Sequence, residues 1–299
     1  FYQKWYQPQL MGFFVIGDID TNHIIQTIKN NFEPFNNSKE LEFPNYKIPD
    51  YPDNQFFVYQ DDEQESISFS IFEKNDFKKI NSFKNYRETV ISYLTEIIFQ
   101  RRVNEIKEKN EQSFLDAYIS DFNASDLDEF RIAAVVLKED EILAGIEDFL
   151  TLIEQIKQYG FLNSELELAK KNQLNHLKRN LKENETRSSD SYINEYQRHY
   201  LYDEMISGAA KEVEYTSDIL PSITVDDLSN YFKNYIKAEN QIINIKAPEY
   251  INNIPNREEI NQLLEKVSQK DIEPYQFTLK EVELIQDELI GSKIIKRKK

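Results

Sequence analysis

The chain has 299 residues, of which 40% are hydrophobic, enough for one large domain or two medium domains with full cores. Its 53 acidic residues outnumber its 36 basic ones, and the net charge of −17 disfavours nucleic acid and anionic lipid as partners. Because there is no cysteine and no apolar run near the ~18 residues of a membrane span, disulfides, thiolate zinc sites, cysteine nucleophiles and membrane-spanning helices are excluded.

The first residues predict the inside of a domain rather than its beginning. An aromatic segment, Phe1 to Pro8, precedes a short apolar run, Met11 to Ile16, that is typical of a central strand buried on both faces. Thr21 is the predicted N-cap of a helix with an apolar stripe at Ile24, Ile25, Ile28 and Phe32. Prolines interrupt the polar stretch that follows, so we expect residues 34–54 to be a linker.

The second unit begins with strands. Phe56 to Tyr59 is predicted to be one strand. Glu65 to Phe72 alternates between apolar residues and serines, which is typical of a half-buried strand in an antiparallel or mixed sheet. Two more strands, Ser113 to Asp121 and Leu127 to Leu137, are separated by Ala124-Ser125-Asp126, which favours a hairpin.

Helices are predicted over residues 84–108, about 140–158 and about 165–182, the second of them ended by Gly160. These helices are long enough to cover one face of a sheet.

A capping box starts the last helix of the second unit. Thr224 is its predicted N-cap and Asp227 supplies the acid three residues later. A strand is predicted from Gln241 to Lys246. After it we expect a charged helix near 257–269, an extended amphipathic stretch and a basic end, Lys296 to Lys299.

This order of elements predicts an α+β fold. Strands that pair as hairpins, followed by clustered helices, indicate a two-layer α/β sandwich. In it, a mostly antiparallel sheet carries helices packed on one face.

Familiar catalytic and metal-binding motifs are absent from the sequence. His23, His176 and His199 have no second histidine four residues away, so none has the spacing of a helical zinc site. Signatures of a nucleophilic serine, a P-loop or a dinucleotide site are also missing. The acids at Asp18–Asp20 and Asp61–Glu63 lack the spacing of a calcium loop, so we expect turn and capping roles. We assign no catalytic and no metal-binding residue.

Two strand residues, Arg131 and Tyr118, are the candidates for substrate contact. Arg131 is out of phase with the apolar alternation of 130–136, so we expect it on the face opposite the cleanest apolar one. Such residues suit a substrate carbonyl; the alternative is a salt-bridged or snorkelling arginine and an amphipathic tyrosine. Arg101 and Arg102 lie near the end of the long helix, where basic residues complement the helix dipole.

Several segments resemble a known family. Phe1-Tyr2-x-x-Trp5-Tyr6-x-Pro8, with the strand end Val15-Ile16-Gly17-Asp18-Ile19-Asp20, is similar to the end of the catalytic domain in pitrilysin/insulinase-like zinc metallopeptidases. Segments around Gln100–Val103, Gly160–Lys170 and Ala247–Glu249 resemble successive parts of the family's next domain. The similarity extends from residue 1 to about residue 275.

The resemblance implies a fold of the LuxS/processing-peptidase type and a place in a larger protein. Residues 1–33 are then the C-terminal remnant of the zinc-peptidase domain, 34–54 the linker, 55–250 a second, non-catalytic domain and 251–299 a connector. The family's inverted zinc motif and downstream glutamate ligand have no counterpart here. No cofactor is therefore expected in this segment, whereas zinc is expected in the parent protein.

These observations predict a non-catalytic chamber-wall and substrate-binding segment of a zinc metalloendopeptidase that cleaves peptides, inactive alone. Its expected partners are a peptide substrate, which an exposed edge strand adds as an extra strand, and the zinc domain and second half of the parent protein. A periplasmic parent is expected. One alternative is an assembly or scaffold subunit of the same family that has lost catalysis, as in respiratory complexes; another is an unrelated α+β binding module.

Overall fold

One sheet and the helices around it make up the computed structural model, which describes residues 1–35, 46–110, 112–235 and 240–277. The helices in chain order are α1 (Tyr2–Trp5), α2 (Thr21–Phe32), α3 (Phe83–Lys109), α4 (Ile142–Tyr159), α5 (Asn163–Lys182), α6 (Ser189–Tyr202), α7 (Gly208–Ile219), α8 (Val225–Lys233) and α9 (Arg257–Ser268). The strands are β1 (Gln55–Asp61), β2 (Ile67–Asp76), β3 (Phe114–Asn123), β4 (Asp128–Leu137) and β5 (Gln241–Pro248).

The sheet has the strand order β1-β5-β2-β4-β3. Strands β1 and β5 are parallel, and the other neighbouring strands are antiparallel. The predicted hairpin joins β3 to β4, with the amide of Ala124 donating to the carbonyl of Asp128 at 2.9 Å. The mostly antiparallel sheet is therefore confirmed.

The two faces of the sheet differ in what covers them. The apolar side chains Ile67, Phe69 and Ile71 of β2 are buried, as their alternation with serines predicts. Phe149 of α4 packs edge-on against Phe69, with ring centroids 6.4 Å apart. On the opposite face, Phe72 and its neighbours in β3 and β4 form a separate aromatic group. Helices packed on one face of the sheet give the predicted two-layer α+β fold.

Local end signals set the helix bounds. Gly160 ends α4 with a φ of 69°, a conformation that glycine adopts without a Cβ clash. The predicted capping box starts α8: the hydroxyl of Thr224 accepts from the amide of Asp227 at 3.3 Å, and the Asp227 carboxylate accepts from the amide of Thr224 at 2.8 Å.

The predicted strand at Met11–Ile16 is wrong. The segment runs without strand pairing, and Met11, Phe13 and Val15 are 37%, 46% and 45% exposed. None of the described strands lies beside it, so its backbone groups have no ladder to join. The N-cap of α2 is also one residue earlier than predicted, because the Asp20 carboxylate accepts from the first amides of the helix.

The predicted linker lies partly outside the described residues, at 36–45. Its second half is extended and held on the sheet: the amide of Ile48 donates to Asp128, and the amide of Tyr51 donates to Asn240, both at 2.9 Å. The predicted amphipathic stretch and the basic end, Lys296 to Lys299, fall within 278–299, which also lie outside the described part.

Arg102 forms a buried ion pair. It does not lie in the last turn of its helix, where it was expected to complement the helix dipole, because α3 continues to Lys109. Its guanidinium donates to both carboxylate oxygens of Glu165 in α5, at 2.8 and 2.6 Å, and to the carbonyl of Gly160 at 3.2 Å. The two side chains are 1% and 0% exposed. The ring of Tyr275 lies 4.0 Å from the guanidinium carbon, so Arg102 ties the chain near residue 275 to α3 and α5.

Candidate functional site

The face of the sheet that the helices cover is apolar over most of its area and carries a row of polar side chains at one end. Asp121 of β3 pairs with Arg131 of β4, Arg131 with Glu73 of β2, and Glu73 with Gln241 of β5. In β3, β4 and β2 these residues continue the alternation of the buried apolar positions. The strands therefore change from apolar to polar side chains at the same level, and Glu73 and Gln241 of this row are themselves buried.

Arg131 lies in this row, on the core face. As expected, Arg131 lies on the face opposite the apolar alternation of 130–136. That face is nevertheless also apolar and belongs to the core, because β4 carries apolar residues on both faces. The Arg131 guanidinium donates to the carbonyl of Asn234 at 3.0 Å and lies 4.6 Å from the ring centroid of Tyr231. Tyr118 is on the other face and 41% exposed, so the structure does not bring the two candidates together.

Three residues from three elements meet beside Arg131. The hydroxyls of Ser92 in α3 and Tyr231 in α8 both donate to Oδ2 of Asp121, at 2.9 and 2.5 Å. The other carboxylate oxygen of Asp121 lies 4.0 Å from Nε of Arg131. Burial and the Asp121 carboxylate raise the pKa of Tyr231, so its proton stays in place at neutral pH.

Two glutamates complete the polar cluster. Burial, helped by the charge of Asp121, raises the pKa of Glu96 in α3 to about 7. Burial and Asp121 also raise the pKa of Glu129 in β4. Glu96 follows Ser92 by one helical turn, so both project from the same side of α3.

The cluster lines a cavity of about 380 Å³ between α3, the β3–β4 hairpin, the end of α6 and α8. Aromatic residues contribute much of its wall, namely Phe77, Tyr93, Tyr202 and Tyr231. Its volume lies within the roughly 300–1,000 Å³ range of small-ligand sites. The cavity is concave, partly apolar and equipped with a few charged groups, so it suits a polar side chain or small molecule.

Of the residues around this cavity, the sequence singled out only Arg131. Asp121 carries a usable signal, because it is in phase with the buried residues Ala117 and Ile119 and places an acid on an apolar face. The polar spacing of Ser92 and Glu96 in α3 is a second signal. No sequence signal marks Tyr231, since its partners, Ser92 and Asp121, are more than a hundred residues away in sequence.

The raised pKa of Glu96 predicts a pH-dependent stability. The folded chain holds the Glu96 proton more tightly than the unfolded chain, whose value is near 4.5. This contribution is complete below pH 4.5 and is lost as pH rises through about 7. After allowance for partial exposure, we expect ionisation of Glu96 to lower the free energy of unfolding by about 2 kcal/mol as the pH rises from 5 to 8.

Urea unfolding at pH 5 and pH 8 checks this prediction, with Glu96→Gln as the variant and the exposed Glu139→Gln as control. Glu96→Gln is expected to be more stable than the unsubstituted chain at pH 8 but not at pH 5. A gain equal at both pH values contradicts the assignment. The other titratable groups around the cavity remain in both chains: Lys78, Glu88, Tyr93, Asp121, Glu129, Arg131, Tyr202, Glu204 and Tyr231.

The described residues do not fit a zinc ion. They contain no group of three or more His, Asp or Glu side chains placed to hold a metal. His176 bonds Asn180 one turn along α5, and Nδ1 of His199 lies 2.7 Å from the carbonyl of Glu204. His23 is exposed at the start of α2. In the part of the chain that the structure describes, no helix combines the length and apolar character of a membrane span.

Comparison with known proteins identifies the family. Residues 1–173 match the family described as the peptidase M16 inactive domain. A zinc protease PQQL-like protein of Arabidopsis thaliana is 22% identical over 77% of this chain and 21% of its own length. The "Probable zinc protease PqqL" of Haemophilus influenzae is 24% identical over 83% of this chain and 27% of its own length.

The fold comparison agrees. The crystal structure of the periplasmic protease PqqL from Escherichia coli superposes with a TM-score of 0.80 at 18% identity, over 96% of this chain and 32% of that one. The chain thus spans about a fifth to a quarter of the length of these curated relatives. The family match covers more than half of the 299 residues, and the chain belongs to the M16 peptidase family as its inactive domain.

Proposed function

We propose that the chain is the non-catalytic, substrate-binding segment of a zinc metalloendopeptidase that cleaves peptides. The observation that carries this proposal is the match to the inactive domain of the M16 family, together with relatives named zinc proteases. The described residues offer no metal-binding group, which fits a segment that relies on another domain for chemistry. Its own contribution is then to form part of the wall of a chamber and to bind peptide.

The N-terminal segment supports a place beside a further domain. Phe1 and Tyr2 are 86% and 70% exposed, and Phe13 and Val15 are also exposed. Exposed apolar residues concentrated in one segment mark an interaction surface. In this proposal residues 1–33 complete the zinc domain, 34–54 is the linker, 55–250 is the non-catalytic domain and 251–299 connects to the second half.

Strand β1 is the proposed backbone site for peptide. It forms one edge of the sheet, and its consecutive residues Phe57, Val58 and Tyr59 are 53%, 44% and 52% exposed. The other edge strand, β3, has a register shift between Phe114 and Asp116, and such irregularities discourage strand pairing. An extended peptide can add to β1 through main-chain hydrogen bonds.

Alternate N-methylation of a peptide tests strand addition. Only every second amide of an added strand faces β1, so methylating one alternate set is expected to weaken binding roughly tenfold, while methylating the other set changes it little. Fluorescence anisotropy with an octapeptide measures this, and hydrogen exchange over residues 55–61 locates it. Equal binding of the two methylated peptides, or protection confined to β3, contradicts the proposal.

The parent protein is proposed to be a periplasmic zinc protease, because the Escherichia coli structure with the same fold is described as a periplasmic protease. The alternative of a scaffold subunit differs in one testable respect: it requires no peptide binding. Peptide that protects the amides of β1 therefore favours the protease segment.

A further inference from the structure

We propose that the cavity between α3, the β3–β4 hairpin and the end of α6 binds a cationic side chain, arginine or lysine, of a peptide. This inference rests on the proposed function, since it assumes that the domain holds peptide. The cavity lies beside β3 and β4, on the far side of the sheet from β1, so it is a second contact with peptide, separate from strand addition at β1, and it depends on the peptide side chain.

The shape of the cavity suits a long side chain. It encloses about 380 Å³, more than one arginine needs, and opens to the surface. Tyr93 of α3 and Tyr231 of α8 lie on its wall with Tyr202 of α6. Aromatic rings pack against the methylene stem of lysine or arginine and attract the charged end over their faces.

The charges in the cavity are unbalanced. Three of the carboxylates already have a cation within 4.0 Å: Glu88 pairs with Lys78 at 2.9 Å, Glu204 with Arg198 at 3.1 Å, and Asp121 with Arg131 at 4.0 Å. Within the described ranges, neither Glu96 nor Glu129 has a cationic side chain within 4.0 Å. Burying a carboxylate without a counter-charge is costly, and a cationic ligand removes that cost.

Asp121 also has capacity to accept a donor. Its Oδ1 atom is buried and has no hydrogen-bond donor among the described residues, and the nearest cation, Arg131, is 4.0 Å away. Nη1 of Arg131 donates to the carbonyl of Asn234, and Nε of Arg131, 4.0 Å from Oδ1, is too far for a hydrogen bond. A guanidinium or ammonium group would supply donors to Asp121, whereas a phosphate or carboxylate would meet the negative charges of Glu96 and Glu129.

The test compares three peptides, of which two carry a cationic side chain and the third carries a neutral one. A fluorescein-labelled, otherwise uncharged octapeptide carries a central arginine, lysine or citrulline, and its binding to the full chain is measured by anisotropy at pH 8 and low salt. We expect the arginine or lysine peptide to bind about tenfold more tightly than the citrulline peptide. Glu96→Gln and Glu129→Gln are each expected to remove most of this preference, and the exposed Glu139→Gln is expected to keep it.

pH provides a second readout. The pKa of Glu96 is about 7, whereas the peptide cation stays charged at both pH values. Lowering the pH from 8 to 6 is therefore expected to weaken binding of the arginine peptide and to leave binding of the citrulline peptide unchanged. The other charged groups around the cavity, which are the same for both peptides, are Asp121, Glu129, Arg131, Lys78, Glu88 and Glu204.

The outcomes separate this inference from the proposed function. Equal binding of the arginine, lysine and citrulline peptides overturns the cation site and leaves peptide binding intact. A preference that survives both Glu96→Gln and Glu129→Gln also overturns it. Absence of binding by every peptide overturns both proposals.

Discussion

Replacing Arg102 by methionine is expected to lower the free energy of unfolding by about 3–5 kcal/mol, because it leaves a buried carboxylate without its counter-charge. The Glu165 carboxylate is fully buried and accepts two guanidinium hydrogen bonds. It also accepts from the amide of Leu162 at the start of α5. Loss of Arg102 therefore removes the bridge between α3 and α5 and destabilises the start of α5.

Urea unfolding at pH 7 measures this effect. The matched control is Lys211→Met, which breaks an exposed pair with Glu214 and is expected to cost at most about 0.5 kcal/mol. A double variant, Arg102→Met with Glu165→Met, is expected to recover part of the loss, because no unpaired charge remains. A loss below about 1 kcal/mol for Arg102→Met contradicts the importance assigned to this pair.

Replacing Phe232 by alanine is expected to cost about 3–5 kcal/mol, since this ring is fully buried at the centre of a helix contact. It stacks on Phe99 of α3 at 6.3 Å and on Tyr235 at 6.0 Å, and meets Phe161 edge-on at 5.7 Å. The helix that carries it, α8, also supplies Tyr231 to Asp121.

Thermal and urea unfolding of Phe232→Ala test this prediction, with Tyr250→Ala as control because Tyr250 is 65% exposed. The control is expected to change stability by less than about 0.5 kcal/mol. The variant is also expected to weaken any peptide preference of the cavity, since α8 positions Tyr231. A stability change as small as that of the control would show that α8 is held by other contacts.

Short-range features of the fold were predictable from sequence. The capping box of Thr224 and Asp227 joins residues three apart, and the alternation of Ile67, Phe69 and Ile71 with serines depends on strand geometry alone. Both patterns are local in sequence, and both were confirmed, although β2 also needed its neighbours β4 and β5 to form.

Long-range features were not predictable in the same way. Met11–Ile16 has the composition of a strand, but a strand also needs a neighbour, and none of the described strands supplies one. Arg102 finds Glu165 only after α3 and α5 pack together, 63 residues apart in sequence. The alternation of 130–136 predicted that Arg131 faces away from those residues, but not that its own face belongs to the core. Because β4 is apolar on both faces, only the sheet register decides that.

The most direct measurement of the central claim is the fate of a bound peptide. The full chain, supplied with zinc, is incubated with an eight-residue peptide, and bound and free material are analysed by mass spectrometry. A substrate-binding segment without catalytic residues is expected to return the peptide intact while hydrogen exchange shows protection at β1. Cleavage products whose formation stops when a chelator is added would contradict the claim.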